Sequence, residues 1–166
     1  MCEIAMQRMD GIGLFRGCRP AQLKMIDRLG TMLVVPAGKT LYCEGKPGSQ
    51  FFLLIEGLAQ VQNSCGRLAL MHGGAWFGEA ALINKTTQRA SVTTVVECRM
   101  IVFDRSEFNA LRHIAPQARK RIDFTAALIA RGDAPTSQPW YQPVLVHAPN
   151  PRAPASPTAP SGPRSS

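Results

Sequence analysis

No uninterrupted apolar run in this 166-residue chain approaches the 18 residues that a membrane-spanning helix needs, so no membrane contact is expected. The opening stretch, MCEIAMQRMDGIGLF, lacks an unbroken apolar core and a small-residue cleavage site, which argues against a secretory leader. No CxxC pair occurs among five scattered cysteines (Cys2, Cys18, Cys43, Cys65 and Cys98). That excludes a zinc knuckle and points to reduced thiols and a cytoplasmic location. Histidines number only three, and of these only His72 lies among the strand-like runs. A small β-roll metalloenzyme of the cupin kind, which needs several histidines and a carboxylate on one metal, is therefore excluded. No Ser/His/Asp or Cys/His arrangement stands out, so the chain is not expected to be an enzyme or to hold a covalent cofactor.

What is present is an ordinary hydrophobic fraction of 45% and a formal charge of +8. The charge allows an anionic partner without showing one, because basic residues on a solvated face give the same sum. The length suits one domain. Composition changes at Gly132: nine of the 13 prolines lie between Pro135 and Pro163. Residues 132–166 read as a Pro/Ala/Ser-rich, mostly disordered tail, with too little apolar surface to offset its ordering entropy. Within it, Trp140 to Val146 is apolar enough to dock, either back onto its own domain or on a partner.

Between an N-terminal segment (1–11) and that tail, the periods define a domain over 12–131. Leu23, Met25 and Ile26 share a face in Pro20–Leu29, which Gly30 stops, predicting a short helix. Short apolar runs with glycine and proline punctuation follow: Met32–Val35, Thr40–Cys43, Phe51–Ile55, Leu58–Val61, Leu68–Met71, Ala90–Val96 and Arg99–Phe103. Asn63-Ser64-Cys65-Gly66 has the composition of a hairpin turn. Seven or eight strands so spaced predict a sandwich or barrel. Ser106 is the expected N-cap of a helix through Ile114, and Pro116 opens a last helix that ends at Gly132. Ile122, Ala126 and Ile129 line one face of that helix, and Arg119-Lys120-Arg121 reads as a solvated charge run.

The order helix, interrupted β-roll, two helices resembles the cyclic nucleotide-binding domain. The resemblance rests on Pro36-Ala37-Gly38, Glu44-Gly45-Lys46-Pro47-Gly48, Phe51 through Gly57, Val61, and the stretch from Gly74 through Val92. That last stretch is similar to the family's phosphate-binding cassette, in which F-G-E, two small residues and a leucine are followed by a loop, an arginine and A-[ST]-V. The likeness covers roughly residues 12–131. It implies a mainly β fold with flanking α: an antiparallel β-roll (jelly roll) with one N-terminal helix and two C-terminal helices.

The resemblance also implies a ligand, cyclic AMP or cyclic GMP, and site residues Phe77, Gly78, Glu79, Ala80, Ala81, Gln88, Arg89, Ala90 and Ser91. Physically, Gly78 opens a short helical turn whose first amides have no intrahelical partners, and small side chains at 80 and 81 leave room for a phosphate on those amides. By resemblance, Glu79 accepts a hydrogen bond from the ribose 2′-hydroxyl, an arginine clamps the phosphate, the position near Ser91 influences cyclic GMP preference, and the last helix closes over the base. Ile122, Phe124, Ala126 and Ile129 are then its candidate inward face. The bland alternatives are that Gly78 only makes a turn, Glu79 only opens its helix, and the last helix only packs on the roll.

The cassette departs from its pattern at one point. The family's arginine stands four positions before the valine, where this chain has Gln88, and Arg89 is one place late. Strand alternation would aim Arg89 at the opposite face unless a bulge or a longer loop after Glu79 restores it. Two readings follow. One is a cytoplasmic cyclic nucleotide sensor that signals to an effector protein the residues do not identify, with a homodimer through the last helix left open. The other is a degenerate domain that binds no nucleotide and serves as a protein-interaction scaffold. A DNA-binding regulator of the Crp/Fnr kind is not expected, because the proline-rich segment stands where its helix-turn-helix would be. An iron–sulfur sensor is not expected either, since Cys2 and Cys18 form no cluster.

Overall fold

A computed structural model describes residues 9–144. Glycine and proline cut the middle of the chain into strands that assemble as two antiparallel sheets. The first has the order β1 (Thr31–Val35), β8 (Cys98–Asp104), β3 (Gln50–Glu56), β6 (Trp76–Phe77). The second has the order β2 (Thr40–Tyr42), β7 (Ser91–Thr94), β4 (Leu58–Gln62), β5 (Leu68–His72), β9 (Tyr141–Val144). Side chains from both sheets feed one buried cluster, as a β-roll requires. β3 shows why its run is apolar throughout: Phe51 to Leu54 are all buried, and Phe51 lies opposite Phe103 of β8. The Phe51 ring also lies 4.9 Å from that of Phe108, which joins the sheet to the C-terminal helices.

The helices are α1 (Pro20–Leu29), α2 (Glu79–Asn84), α3 (Arg105–Ile114) and α4 (Pro116–Ala130). In α1, Leu23 and Ile26 are buried, but Met25 is exposed and does not join their face. Gly30 ends α1 where no side chain fits, since a Cβ there would collide with Ile101 and Phe103. The cap of α3 differs from expectation. Asp104, not Ser106, precedes the helix: its carboxylate accepts from the Glu107 N–H, and its own N–H donates to Glu107. This reciprocal box outcompetes a lone serine because it satisfies two orphan amides. Pro116 occupies the first turn of α4.

Two further expectations are corrected. Arg121 is no solvated charge, because its guanidinium donates to the carbonyls of Leu14 and Arg16 at 2.8 Å each. The expectation of disorder fails for residues 133–144, where the alternative holds and the stretch from Trp140 docks back onto its own domain. β9 adds to the free edge of β5 in register Met71↔Tyr141 to Leu68↔Val144, with Trp140 and Tyr141 buried. Two large aromatics supply the apolar area that the flanking prolines lack, so this stretch repays its ordering. The remainder of the expected tail, and residues 1–8, lie outside the described residues.

Candidate functional site

Gly78 is required on two grounds. Its φ of 91° is a left-handed conformation, and a Cβ there would lie 2.5 Å from the Gln50 carbonyl oxygen. The turn it makes launches α2, with Glu79 in the first position, Ala80 half-buried and Ala81 buried. Amides at the start of such a helix point outward without internal acceptors. Lys85, itself left-handed at φ 52°, closes the helix.

Glu79 is almost wholly buried, at 1% exposure. Its Oε1 accepts from the Thr125 hydroxyl of α4 at 2.8 Å, and the same hydroxyl oxygen accepts from Trp76 Nε1 at 3.0 Å. Its Oε2 is buried with no donor. Burial raises the Glu79 carboxyl to about 7, against the lowering effect of the Thr125 hydrogen bond. Tyr42 responds in turn, its phenol held well above the ordinary value by burial and then by the Glu79 carboxylate.

A cavity of about 1060 Å³ opens beside this cluster. That is just above the roughly 300–1,000 Å³ usual for small-molecule sites. Phe77, Gly78, Glu79, Ala80, Ala81, Gln88, Arg89 and Ala90 all border it. Ser91 does not border it. Its hydroxyl accepts from the Glu44 N–H at 2.9 Å, while the Glu44 carboxylate takes the Ser64 N–H and hydroxyl, so the serine braces the cavity rim. The Phe77 ring belongs as much to the core, stacked on Phe52 at 5.2 Å.

Arg89 lies outside any strand. β7 begins only at Ser91, and residues 89 and 90 form a bend, so strand alternation does not reach them. The segment before the bend is tied down by Gln88 N–H to the Lys46 carbonyl and Gly45 N–H to the Gln88 carbonyl, both at 2.8 Å. Gln88, which is buried, and Arg89, which is exposed, both border the cavity. Among the described residues Arg89 has no ion-pair or hydrogen-bond partner.

Of the expected inward face of the last helix, Ile122 and Ala126 are buried and Ile129 borders the cavity, whereas Phe124 is 54% exposed and points away. Sequence reasoning missed Thr125. Its signal was a hydroxyl residue set in the apolar stripe Ile122, Ala126, Ile129, where a polar group needs a partner. It also missed the cavity wall beyond α4, where Trp140 and Tyr141 stand.

The family profile of the cyclic nucleotide-binding domain matches residues 32–114, half of the chain. The cAMP-dependent protein kinase regulatory subunit of Schizosaccharomyces pombe is 36% identical over 89 residues, covering 53% of this chain and 21% of that protein. A cyclic nucleotide-gated potassium channel of Rhizobium etli is 30% identical over 129 residues, covering 78% of this chain and 36% of the channel. Among solved structures, the Thermus thermophilus catabolite activator protein superposes with a TM-score of 0.60 at 25% identity, covering 72% of this chain and 57% of that one. The chain spans less than half the length of these curated relatives.

Proposed function

The chain belongs to the cyclic nucleotide-binding domain family, and from that premise we propose that it is a regulatory sensor module whose cavity takes cyclic AMP or cyclic GMP. One observation carries the reading. A single cavity is bordered by Arg89, which has no hydrogen-bond or ion-pair partner among the described residues, and by Glu79, whose Oε2 is buried without a donor. A cyclic ribose phosphate brings the complement of both, one negative charge and one 2′-hydroxyl.

In this reading the phosphate rests on the first amides of α2, between Gly78 and Ala81, with Arg89 as its cation. Gln88 borders the same space and offers a neutral donor. The 2′-hydroxyl donates to Glu79, a contact that rejects deoxyribose because the carboxylate would otherwise stay unpaired. Glu44, which also borders the cavity, turns its carboxylate to the Ser64 N–H and hydroxyl. The chain performs no chemistry on its ligand. It reports occupancy to an effector in a reducing cytoplasm, where the described cysteines are free thiols.

Calorimetric titration tests this. Cyclic AMP or cyclic GMP binds, 2′-deoxy cyclic AMP and 5′-AMP bind far more weakly, and Arg89→Ala weakens the cyclic nucleotide by about ten- to a hundredfold, the worth of one charge-assisted bond. Flat titrations with both cyclic nucleotides at millimolar concentration would replace the sensor by the scaffold reading.

A further inference from the structure

Tyr42 faces inward because its strand carries one extra residue. Thr40 of β2 pairs with Thr93 of β7 and Tyr42 with Val92, so two steps on β2 answer one step on β7. The residue between, Leu41, makes a bulge of the kind that re-aims a side chain. Cross-strand partners share a face of the sheet. Thr40 and Thr93 take the outer face, their exposed hydroxyls 3.3 Å apart, whereas Val92 is fully buried. Without the bulge Tyr42 would stand opposite Ser91 and turn outward with Thr40. With it, the ring packs against the core. Its centroid lies 5.8 Å from that of Phe52 and 6.1 Å from that of Phe77, both within the range where aromatic pairs attract.

The hydroxyl at the end of this fixed ring is not spent on the protein. Tyr42 borders the cavity, and its oxygen has no hydrogen-bond partner among the described residues. Unlike Glu79 Oε2, it is not sealed from solvent. A phenol packed in an apolar seat ordinarily finds a partner for its O–H. Burial, and then the nearby Glu79 carboxylate, hold the Tyr42 proton in place, so the group stays a neutral donor.

We propose that Tyr42 is a specificity residue of the cavity, its hydroxyl donating to the ribose 2′-oxygen of the bound cyclic nucleotide. The proposal rests on the reading of the cavity as a cyclic nucleotide site in which the 2′-hydroxyl donates to Glu79. A hydroxyl gives one proton and keeps two lone pairs that accept. Glu79 uses the proton, and Tyr42 supplies a donor for the lone pairs. The sugar, rather than the phosphate, is its target because the phenol lies within the field of Glu79. Selection of ribose then depends on two elements, α2 and the bulged end of β2.

The full chain is titrated calorimetrically with cyclic AMP and with 2′-deoxy cyclic AMP, comparing wild type with Tyr42→Phe. That variant keeps the ring in its aromatic seat and removes the donor. Affinity for cyclic AMP is expected to fall two- to tenfold, the worth of one neutral hydrogen bond, while affinity for the deoxy ligand barely changes. Unchanged affinity for cyclic AMP overturns the proposal and leaves the sensor reading intact. Equal losses for the two ligands also overturn it, since the phenol would then serve another part of the ligand. The chain has only two tyrosines, Tyr42 and Tyr141, so ¹³C labelling of the ring Cζ gives a second readout, assigned with Tyr141→Phe. The Tyr42 signal of the wild type is expected to move at saturating cyclic AMP. If Tyr42→Phe does not fold, or the deoxy ligand binds too weakly to titrate, this signal decides alone, and an unmoved resonance overturns the proposal. Binding of neither cyclic nucleotide by wild type overturns both readings.

Discussion

Glu79 carries a proton into a pH range where glutamates are ordinarily charged. Its folded value of about 7 lies above the ordinary 4.5 because burial penalises the anion more than the Thr125 bond rewards it. Between those two values the folded chain binds a proton that the unfolded chain has released. Stability therefore falls as pH rises through that window, by up to about 1.4 kcal/mol per unit from this group. Denaturant midpoints from pH 4.5 to 7.5 should show this slope in wild type and lose it in Glu79→Gln, the difference between the two profiles isolating the one carboxyl. At this scale the sequence was legible where a motif names its residues: Phe77 to Ala81 and Gln88 to Ala90 all border one cavity. It was not legible where a role depends on two elements meeting. Thr125 acquires its partners only when α4 lies against α2, 46 positions from Glu79.

Element boundaries follow the glycine and proline punctuation where that punctuation is dense. β3, β4 and β5 stand close to their expected spans because Gly57 and the Asn63–Gly66 turn bound them. β6 escaped because two residues, Trp76 and Phe77, carry no period. The one-residue lag of Arg89 was a correct observation. β7 begins only at Ser91, so strand alternation by itself does not set the direction of Arg89. The junction of β6 and α2 invites a test of its own. Gly78→Ala forces a side chain into a left-handed turn against the Gln50 carbonyl, so a loss of about 1–3 kcal/mol is expected in urea denaturation. Nucleotide affinity, measured at temperatures where the variant is folded, should fall with it, since the amides of α2 would be re-aimed.

Over the whole molecule, Thr125 is a junction of three elements, joining α4 to β6 through Trp76 and to α2 through Glu79. Thr125→Val preserves shape and strips both partners of their bonds. With each buried unsatisfied group costing about 1–3 kcal/mol, stability should drop by roughly 2 kcal/mol or more in chemical denaturation. Loss of the hydroxyl also removes the one side-chain bond that lowers the Glu79 carboxyl, so its titration should move to still higher pH. The pairing of β9 has a different consequence. The Trp140 carbonyl faces β5, so in the antiparallel ladder the backbone groups of residues 141 and 143 point to the outer side of the strand. At position 143 the outward group is a proline, which has no N–H to offer. The second sheet thus closes on a residue that refuses a further neighbour, and copies of this chain cannot readily zip together along that margin.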